Sequence, residues 1–447
     1  MTSIKKKLIH SPESTRHFLF SKTDTGRLQD VKSQKILDAD EAVKSAFPDM
    51  LCGSDFIDHA IKQLDAVEQF SALVIRIDPL KEENGPAEPP ADNTGVVDAA
   101  GILDGLCRKE NGLWGTLEAG LFGTFFPDKK ESVSLELARH FQKHLKKKAG
   151  QTVSIGVASF PTLAYKKPEI IDNACKALDH ATFFGSNSLV AFDDVSLNIS
   201  GDKLYEKGNI QEAINEFKLA LKLDPGNENV HNSLGVCYGL QSQYDAAIAE
   251  FQKAIALAPG EYMALYNLGL VQLLMKQPDR ALEYFLDADK INGDNYEVAF
   301  QTGKLYLETG NFKKGQPYLE RAAELEPASG QVYRYLGDCY RAGHRLQDAI
   351  SAYKKAIKHN PHDAAALSAL GNIFDDQGEN PEITLMFLRE SIALSPGNGL
   401  FHHRLGRHFS NQHHLDDALK EFVRAKSLGY DATEDIKAIK NRKKVEK

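Results

Sequence analysis

Five cysteines and fifteen histidines are the side chains of this 447-residue sequence best suited to holding a metal or attacking a substrate. Their spacing points to neither. Cys52, Cys107, Cys175, Cys237 and Cys339 lie far apart and form no Cys-x-x-Cys pair, so neither a structural zinc site nor a disulfide framework is expected. Reduced thiols in a cytoplasmic protein are the expectation. His402-His403 and His413-His414 fall close together, with His344, His359 and His362 before them. Adjacent residues on a helix point about 100° apart, so neither pair chelates one ion by itself. The sequence carries no Gly-x-Ser-x-Gly elbow, no phosphate-binding P-loop, no His-Glu-x-x-His and no consistent pair of catalytic acids. No metal and no cofactor is expected.

Composition narrows the remaining classes. A net charge of -8 implies no bulk attraction to nucleic acid. No segment approaches the roughly 18 apolar residues of a membrane helix, so no membrane association is expected. Residues 1–18 contain lysines but no apolar run, unlike a secretory leader. The length suggests about three domains.

The elements that position any site are dominated by a repeat. A glycine recurs at Gly201, Gly235, Gly269, Gly303, Gly337, Gly371 and Gly406, in steps of 34 with one of 35. An alanine follows most of them twelve residues on, as at Ala213, Ala247 and Ala349, and an aromatic four residues later, as at Phe217, Phe251 and Tyr353. Most units close on a proline, as at Pro225, Pro259 and Pro361. Within a unit the apolar positions fall at helical spacing on two short segments separated by a turn such as Lys207-Gly208-Asn209. This pattern resembles the tetratricopeptide (TPR) repeat, which implies an all-α superhelix of seven units over residues 194–432. In the sixth unit Thr384 and Ser391 replace the two alanines and Pro381 marks the extra residue, so a kink or local looseness is expected there. Residues 433–439 read as a covering helix within 433–447, ending in the basic tail Lys440, Arg442, Lys443, Lys444 and Lys447.

Ahead of the repeats, residues 1–47 form a segment of unassigned role, with a basic Lys5-Lys6-Lys7 tip, a strand-like His17-Phe20 run and a helix from Asp38 to Phe47. Residues 48–193 alternate helix and strand and predict one α/β domain. Helices are expected over 56–69, 96–107, 132–148 and 167–182, and strands over 70–77, 113–117, 121–126, 152–158 and 188–192. Residues 79–95 are expected to be an exposed loop. Almost no linker precedes the first repeat, so this domain is expected to pack on it as a cap.

The α/β domain resembles the GGDEF family of diguanylate cyclases. Val153-Ser154-Ile155-Gly156-Val157-Ala158 matches a late strand of that family, and Ala174 to Asn187 its last helix and turn. Ile77-Asp78 with Lys81, Glu82 and Asn84 matches its first strand and the turn after it, and Met50 to Gly53 the opening of its first helix. The resemblance implies a nucleotidyl-cyclase-like fold of bacterial type whose chemistry is gone. Where the family has two glycines that admit a nucleotide triphosphate and two acids that bind Mg²⁺, this chain has Glu118, Ala119, Gly120 and Leu121. Arg76 replaces a second metal-binding acid, while Thr182 and Ser186 replace two basic phosphate contacts. Lys109 and Gly112 hold the two places of the family's inhibitory Arg-x-x-Asp motif. Magnesium needs oxygen ligands, which Arg76 and Leu121 do not supply.

The TPR resemblance implies that the first helix of each pair lines a concave groove. That register places Asn232, Tyr266, Asn267, Leu270, Phe300, Gln301, Lys304, Arg334, Tyr335, Asp338, Arg341, Asn372, Arg404 and Arg407 there. Asparagines grip extended backbone, and Tyr and Arg recur at binding hot spots. The expected function is a non-catalytic adaptor that holds a protein or peptide. The alternatives are a cyclic-di-GMP-related protein with residual nucleotide binding or cyclase activity, and a self-associating assembly protein. The sequence leaves the oligomeric state open.

Overall fold

The computed structural model describes residues 41–79, 94–118 and 120–445. The expected His17-Phe20 strand, the basic tip, most of the 79–95 loop with Lys81, Glu82 and Asn84, Ala119 and Lys447 lie outside them. The chain divides into two compact units between Pro259 and Gly260.

In the first unit, residues 41–46 are helical and stop ahead of Pro48. Then follow α1 (Gly53–Gln63), β1 (Phe70–Ile77), α2 (Thr94–Glu110), β2 (Leu113–Glu118), β3 (Leu121–Pro127), α3 (Glu131–Ala149), β4 (Val153–Phe160), α4 (Ile170–Ala181) and β5 (Leu189–Ala191). The apolar run of β1 becomes the central strand because both of its faces are buried. Phe70, Ala72 and Val74 pack with α1 and α4, while Leu73 and Ile75 pack with α2 and α3. The strand order is β2-β3-β1-β4-β5, antiparallel except for the β4–β5 pair. The helix expected over 56–69 ends at Gln63, and Leu64 packs from the turn beyond it. The one expected from Lys167 opens as a 3₁₀ turn and becomes α-helical at Ile170.

The same unit holds two helix pairs, α5 (Asp194–Glu206) with α6 (Ile210–Leu223) and α7 (Glu228–Leu240) with α8 (Tyr244–Leu257). Asp193 caps α5 by accepting from the Ser196 N–H at 2.7 Å. The α/β elements lie directly against this first pair. Leu163 and Phe192 join the cluster of Leu197, Ala213 and Phe217, Lys176 reaches Glu216 at 2.9 Å, and Lys203 reaches Asp179 at 2.7 Å.

The second unit contains five pairs and a terminal helix. These are α9 (Tyr262–Leu274), α10 (Pro278–Ile291), α11 (Tyr296–Glu308), α12 (Phe312–Leu325), α13 (Gly330–Ala342), α14 (Leu346–His359), α15 (Ala364–Gln377), α16 (Pro381–Leu394), α17 (Gly399–Asn411), α18 (Leu415–Ser427) and α19 (Thr433–Val445). The periodic glycine explains why the helices of a pair meet so closely. A Cβ at Gly269 would stand 2.5 Å from the Phe285 ring, and one at Gly337 2.7 Å from Tyr353. The fourth pair reaches the same contact with Leu319 and a second glycine, Gly315. The turn inside each pair needs a left-handed residue, supplied in order by Gly208, Ser242, Lys276, Gly310, His344, Gly378 and His413.

Two expectations change. Pro381 does not interrupt the sixth pair, because it sits at the first position of α16, where a missing N–H costs nothing, and the helix runs unbroken to Leu394. Asn380 caps that helix, and Thr384 and Ser391 are fully buried in place of the alanines. The covering helix does not stop at residue 439 but runs to Val445. The basic end continues α19, with Ile439 buried, Lys443 paired to Asp416 and Arg442 donating to Ser410 Oγ at 3.3 Å.

The glycine contact gives a direct prediction. Gly269→Ala forces a methyl into the fully buried Phe285 ring and should cost about 1–3 kcal/mol. Urea unfolding followed by circular dichroism measures it, and an unchanged midpoint would show that this contact is not what sets the helix separation.

Candidate partner-binding site

The α/β positions read as a lost nucleotide site do not converge on one. On β1, Arg76 stands directly across from Leu121 of β3. Glu118 pairs with Leu121 across the hairpin, and Gly120 turns it with φ +73°. Thr182 Oγ1 donates to the Asp179 carbonyl at 2.7 Å, a local helix-end bond, and Ser186 is exposed. The buried acid nearby is Asp78, and its oxygens are occupied: Ser154 Oγ donates to one and the Asn187 N–H to the other, each at 2.6 Å. Asp78 therefore ties the end of β1 to β4 and to the turn before β5. Among the described residues no group of three His, Cys, Asp or Glu side chains is placed to hold a metal.

The first-helix residues sort by burial. In the first unit Asn232 is buried on α7. In the second, Tyr266, Asn267 and Leu270 on α9 and Phe300 and Gln301 on α11 are also buried, so they pack between helices instead of lining an open face as expected. Tyr266 lies against Phe285 with ring centres 5.6 Å apart, and burial pushes its hydroxyl pKa up. Phe300 stacks on Tyr296 and meets the Tyr335 ring edge-on at 5.5 Å. The helical register placed these residues on the correct helices, but large side chains at those positions were drawn into the packing.

The positions that stay open lie on α11, α13, α15 and α17. Tyr335 is flanked by cations, with the Arg334 guanidinium 4.0 Å and the Lys304 ammonium 5.5 Å from its ring centre. Arg334 reaches Asp363 at 3.2 Å, and Arg341 lies 3.9 Å from Asp338. Asp338 accepts from the Tyr353 hydroxyl at 2.7 Å. Asn372 donates to Asp376, which also pairs with Arg407. Arg404 donates through Nη1 to Ser368 Oγ at 2.9 Å. Sequence reasoning missed Asp363, Ser368, Tyr353 and Asp376. Only Tyr353 left a signal, since it stands in a column that elsewhere holds phenylalanine or leucine.

The comparisons agree with this arrangement of paired helices. The TPR repeat family matches residues 201–242, and a second tetratricopeptide repeat family matches residues 240–296, 300–358 and 340–382. Residues 201–382 carry tetratricopeptide repeats. Similar curated proteins include anaphase-promoting complex subunit 3 of Schizosaccharomyces pombe, 26% identical over 150 residues, which are 34% of this chain and 22% of that one. General transcriptional corepressor trfA of Dictyostelium discoideum is 31% identical over 80 residues, 17% of this chain and 6% of that one. BBSome complex member BBS4 of Bos taurus is 30% identical over 87 residues, 20% and 17% of the two chains. The chain thus spans between 6% and 22% of the length of these relatives. Among solved structures, YrrB, described as a TPR protein with an unusual peptide-binding site, is 24% identical with TM-score 0.35, covering 40% of this chain and 91% of that one. Pseudomonas aeruginosa pilF is 20% identical with TM-score 0.42, covering 46% and 93%.

The histidines prove to be parts of the TPR frame. In the second repeat His231 Nδ1 meets Glu250 Oε2 at 2.6 Å and Nε2 meets the Pro225 carbonyl at 3.2 Å. In the seventh, His402 repeats both contacts with Glu421 and Pro396 at the same distances. Each histidine clips the first helix of a pair to the second and to the preceding loop. His344 and His413 are the left-handed turn residues, and His359 stacks on Tyr333. His403 bonds Asp435 at 3.1 Å, and burial outweighs that bond and lowers its pKa.

The clip carries a pH signature at Glu250. Burial raises the pKa of its carboxyl, but hydrogen bonds from His231 and Lys253 outweigh it and hold the group below the ordinary carboxylate range. A carboxylate depressed in the folded state stabilises it above the unfolded pKa of about 4.3, and that stability is lost as pH falls through the folded value. Glu250→Gln should therefore cost about 1–2 kcal/mol near pH 7, and the deficit should shrink as pH drops below about 4. Hydrogen exchange of the α7 and α8 amides at the two pH values checks this; a deficit independent of pH would contradict it.

Proposed function

We propose that this chain is a non-catalytic cytoplasmic adaptor or scaffold. In this reading the first-helix face of its tetratricopeptide repeats holds a protein or peptide, and the α/β domain serves as a cap or regulatory module. The observation that carries the proposal is the open face of α11, α13, α15 and α17. Half-buried Tyr335, flanked by Arg334 and Lys304, offers the aromatic and guanidinium chemistry that dominates binding hot spots. The relatives named as members of the anaphase-promoting complex and the BBSome lend support, because repeats of this kind occur in proteins that work inside assemblies. No helix among the described residues is long and apolar enough to cross a membrane.

The α/β domain is read as a cyclase-like fold without its chemistry. Arg76 facing Leu121 leaves no oxygen ligands for magnesium at those positions, and Asp78 is committed to Ser154 and Asn187. The full chain incubated with GTP and Mg²⁺ should yield no cyclic dinucleotide, and turnover would defeat the adaptor reading. Affinity capture from lysate with the full chain should lose its partner when Arg334, Tyr335 and Arg341 are replaced by alanine. Capture that survives the triple substitution would place binding elsewhere. Light scattering should give one mass at all concentrations, and growth with concentration would favour self-assembly.

A further inference from the structure

Four arginines gather on the first-helix face of the second unit: Arg334 and Arg341 on α13, Arg404 and Arg407 on α17. Three of them have carboxylates. Arg334 has Asp363, Arg341 has Asp338, and Arg407 has Asp376. Arg404 does not. Its one hydrogen bond is to the hydroxyl of fully buried Ser368 on the intervening helix α15, and among the described residues no carboxylate lies within 4.0 Å of it. Arg404 is nonetheless half-buried, and Arg341 is close enough to act on it as a like charge. Burial and that like charge together lower its pKa from the ordinary arginine value.

A guanidinium has five N–H donors in a rigid fork, and here one is used. Asp338 attracts Arg404 only from beyond 4.0 Å and is shared with Arg334, Arg341 and Tyr353. Partly removing such a cation from water with no carboxylate in direct contact, beside another cation, is unfavourable. An oxyanion seated against the free edge of the fork relieves both costs with paired charge-assisted hydrogen bonds. The Ser368 hydroxyl holds the fork at Nη1 and leaves its other donors for a ligand. The cations Lys304 and Arg334 continue the same face towards α11, and their own acids are already engaged.

We infer that Arg404, with Arg341 beside it, forms an oxyanion-binding subsite that takes the acidic group of an extended peptide lying along these repeats. This rests on the peptide-binding reading above and adds the chemistry of the ligand to it.

Fluorescence anisotropy with the full chain at low ionic strength tests it, using a labelled short peptide of alternating aspartate and alanine with an amidated C-terminus. The control replaces every aspartate by asparagine. Two further peptides carry the acid only as a free terminal carboxylate or only as phosphoserine, and so separate the possible sources of the oxyanion. At least one acidic peptide should bind roughly tenfold more tightly than the asparagine control, with Arg404→Gln removing the preference. Arg345→Gln, on α14 and paired with Asp348, should leave it unchanged. Matching circular dichroism of the variants establishes that each is folded. The subsite is overturned if no acidic peptide exceeds the control, or if folded Arg404→Gln keeps the preference. In either case, partner capture that is still lost in the Arg334, Tyr335 and Arg341 triple variant would leave the adaptor reading standing.

Discussion

The repeats depend on one contact, the backbone of a glycine in the first helix of a pair against the side chain sixteen residues later in the second. At Gly201, Gly235, Gly269, Gly337 and Gly406 an added Cβ would fall between 2.5 and 2.8 Å from an aromatic ring, which is closer than atoms can pack. The first helix therefore approaches as a bare backbone, and the ring fills the width that a side chain would have taken. Leucine replaces the ring twice: Leu319 is joined by a second glycine, Gly315, and Leu388, seventeen residues after Gly371, leaves an added Cβ 3.0 Å away. The alanines at Ala281, Ala349 and Ala418 are completely buried alongside, where a larger residue would have to be accommodated by strain.

That close approach decides what is left for binding. Large side chains near the glycine are drawn into the packing, as Tyr266 and Phe300 are, and the open face passes to long polar residues that reach past it. Some pair within one helix, Lys304 with Glu308 and Arg341 with Asp338, and two pairs bridge to the neighbouring first helix, Arg334 with Asp363 and Arg407 with Asp376. A face held by such pairs is ordered but exchangeable, since exposed ion pairs contribute little to stability. Arg404 breaks the pattern because its neighbour on α15 is a serine.

The α/β domain follows a different logic. Its central strand is buried on both sides, so the sheet rests on the near-continuous apolar run of Phe70 to Ile77. Gly156 serves the same end, since a Cβ there would lie 2.1 Å from the Ala174 carbonyl oxygen of α4. None of this requires acids at the hairpin. Cys107 and Cys175 belong to the packing as well; burial pushes the Cys107 thiol pKa well up and that of Cys175 up to about 12, far from a reactive thiolate.

The seven glycine-centred helix pairs, and the order of strands and helices before them, were legible residue by residue, because both rest on local periodicity and on residues with narrow conformational preferences. The sequence also placed the fourteen face residues on first helices, since a 34-residue register carries over without knowledge of the neighbours. Tertiary structure decided which of those residues remain accessible, because burial depends on the helix packed against each one. It decided the role of the histidines too, since His231 finds Glu250 and His402 finds Glu421 only once two helices are side by side. It alone gave Arg404 a hydroxyl where its neighbours have carboxylates, because ion pairs join residues about thirty positions apart in the chain, and no local pattern encodes which of them will meet.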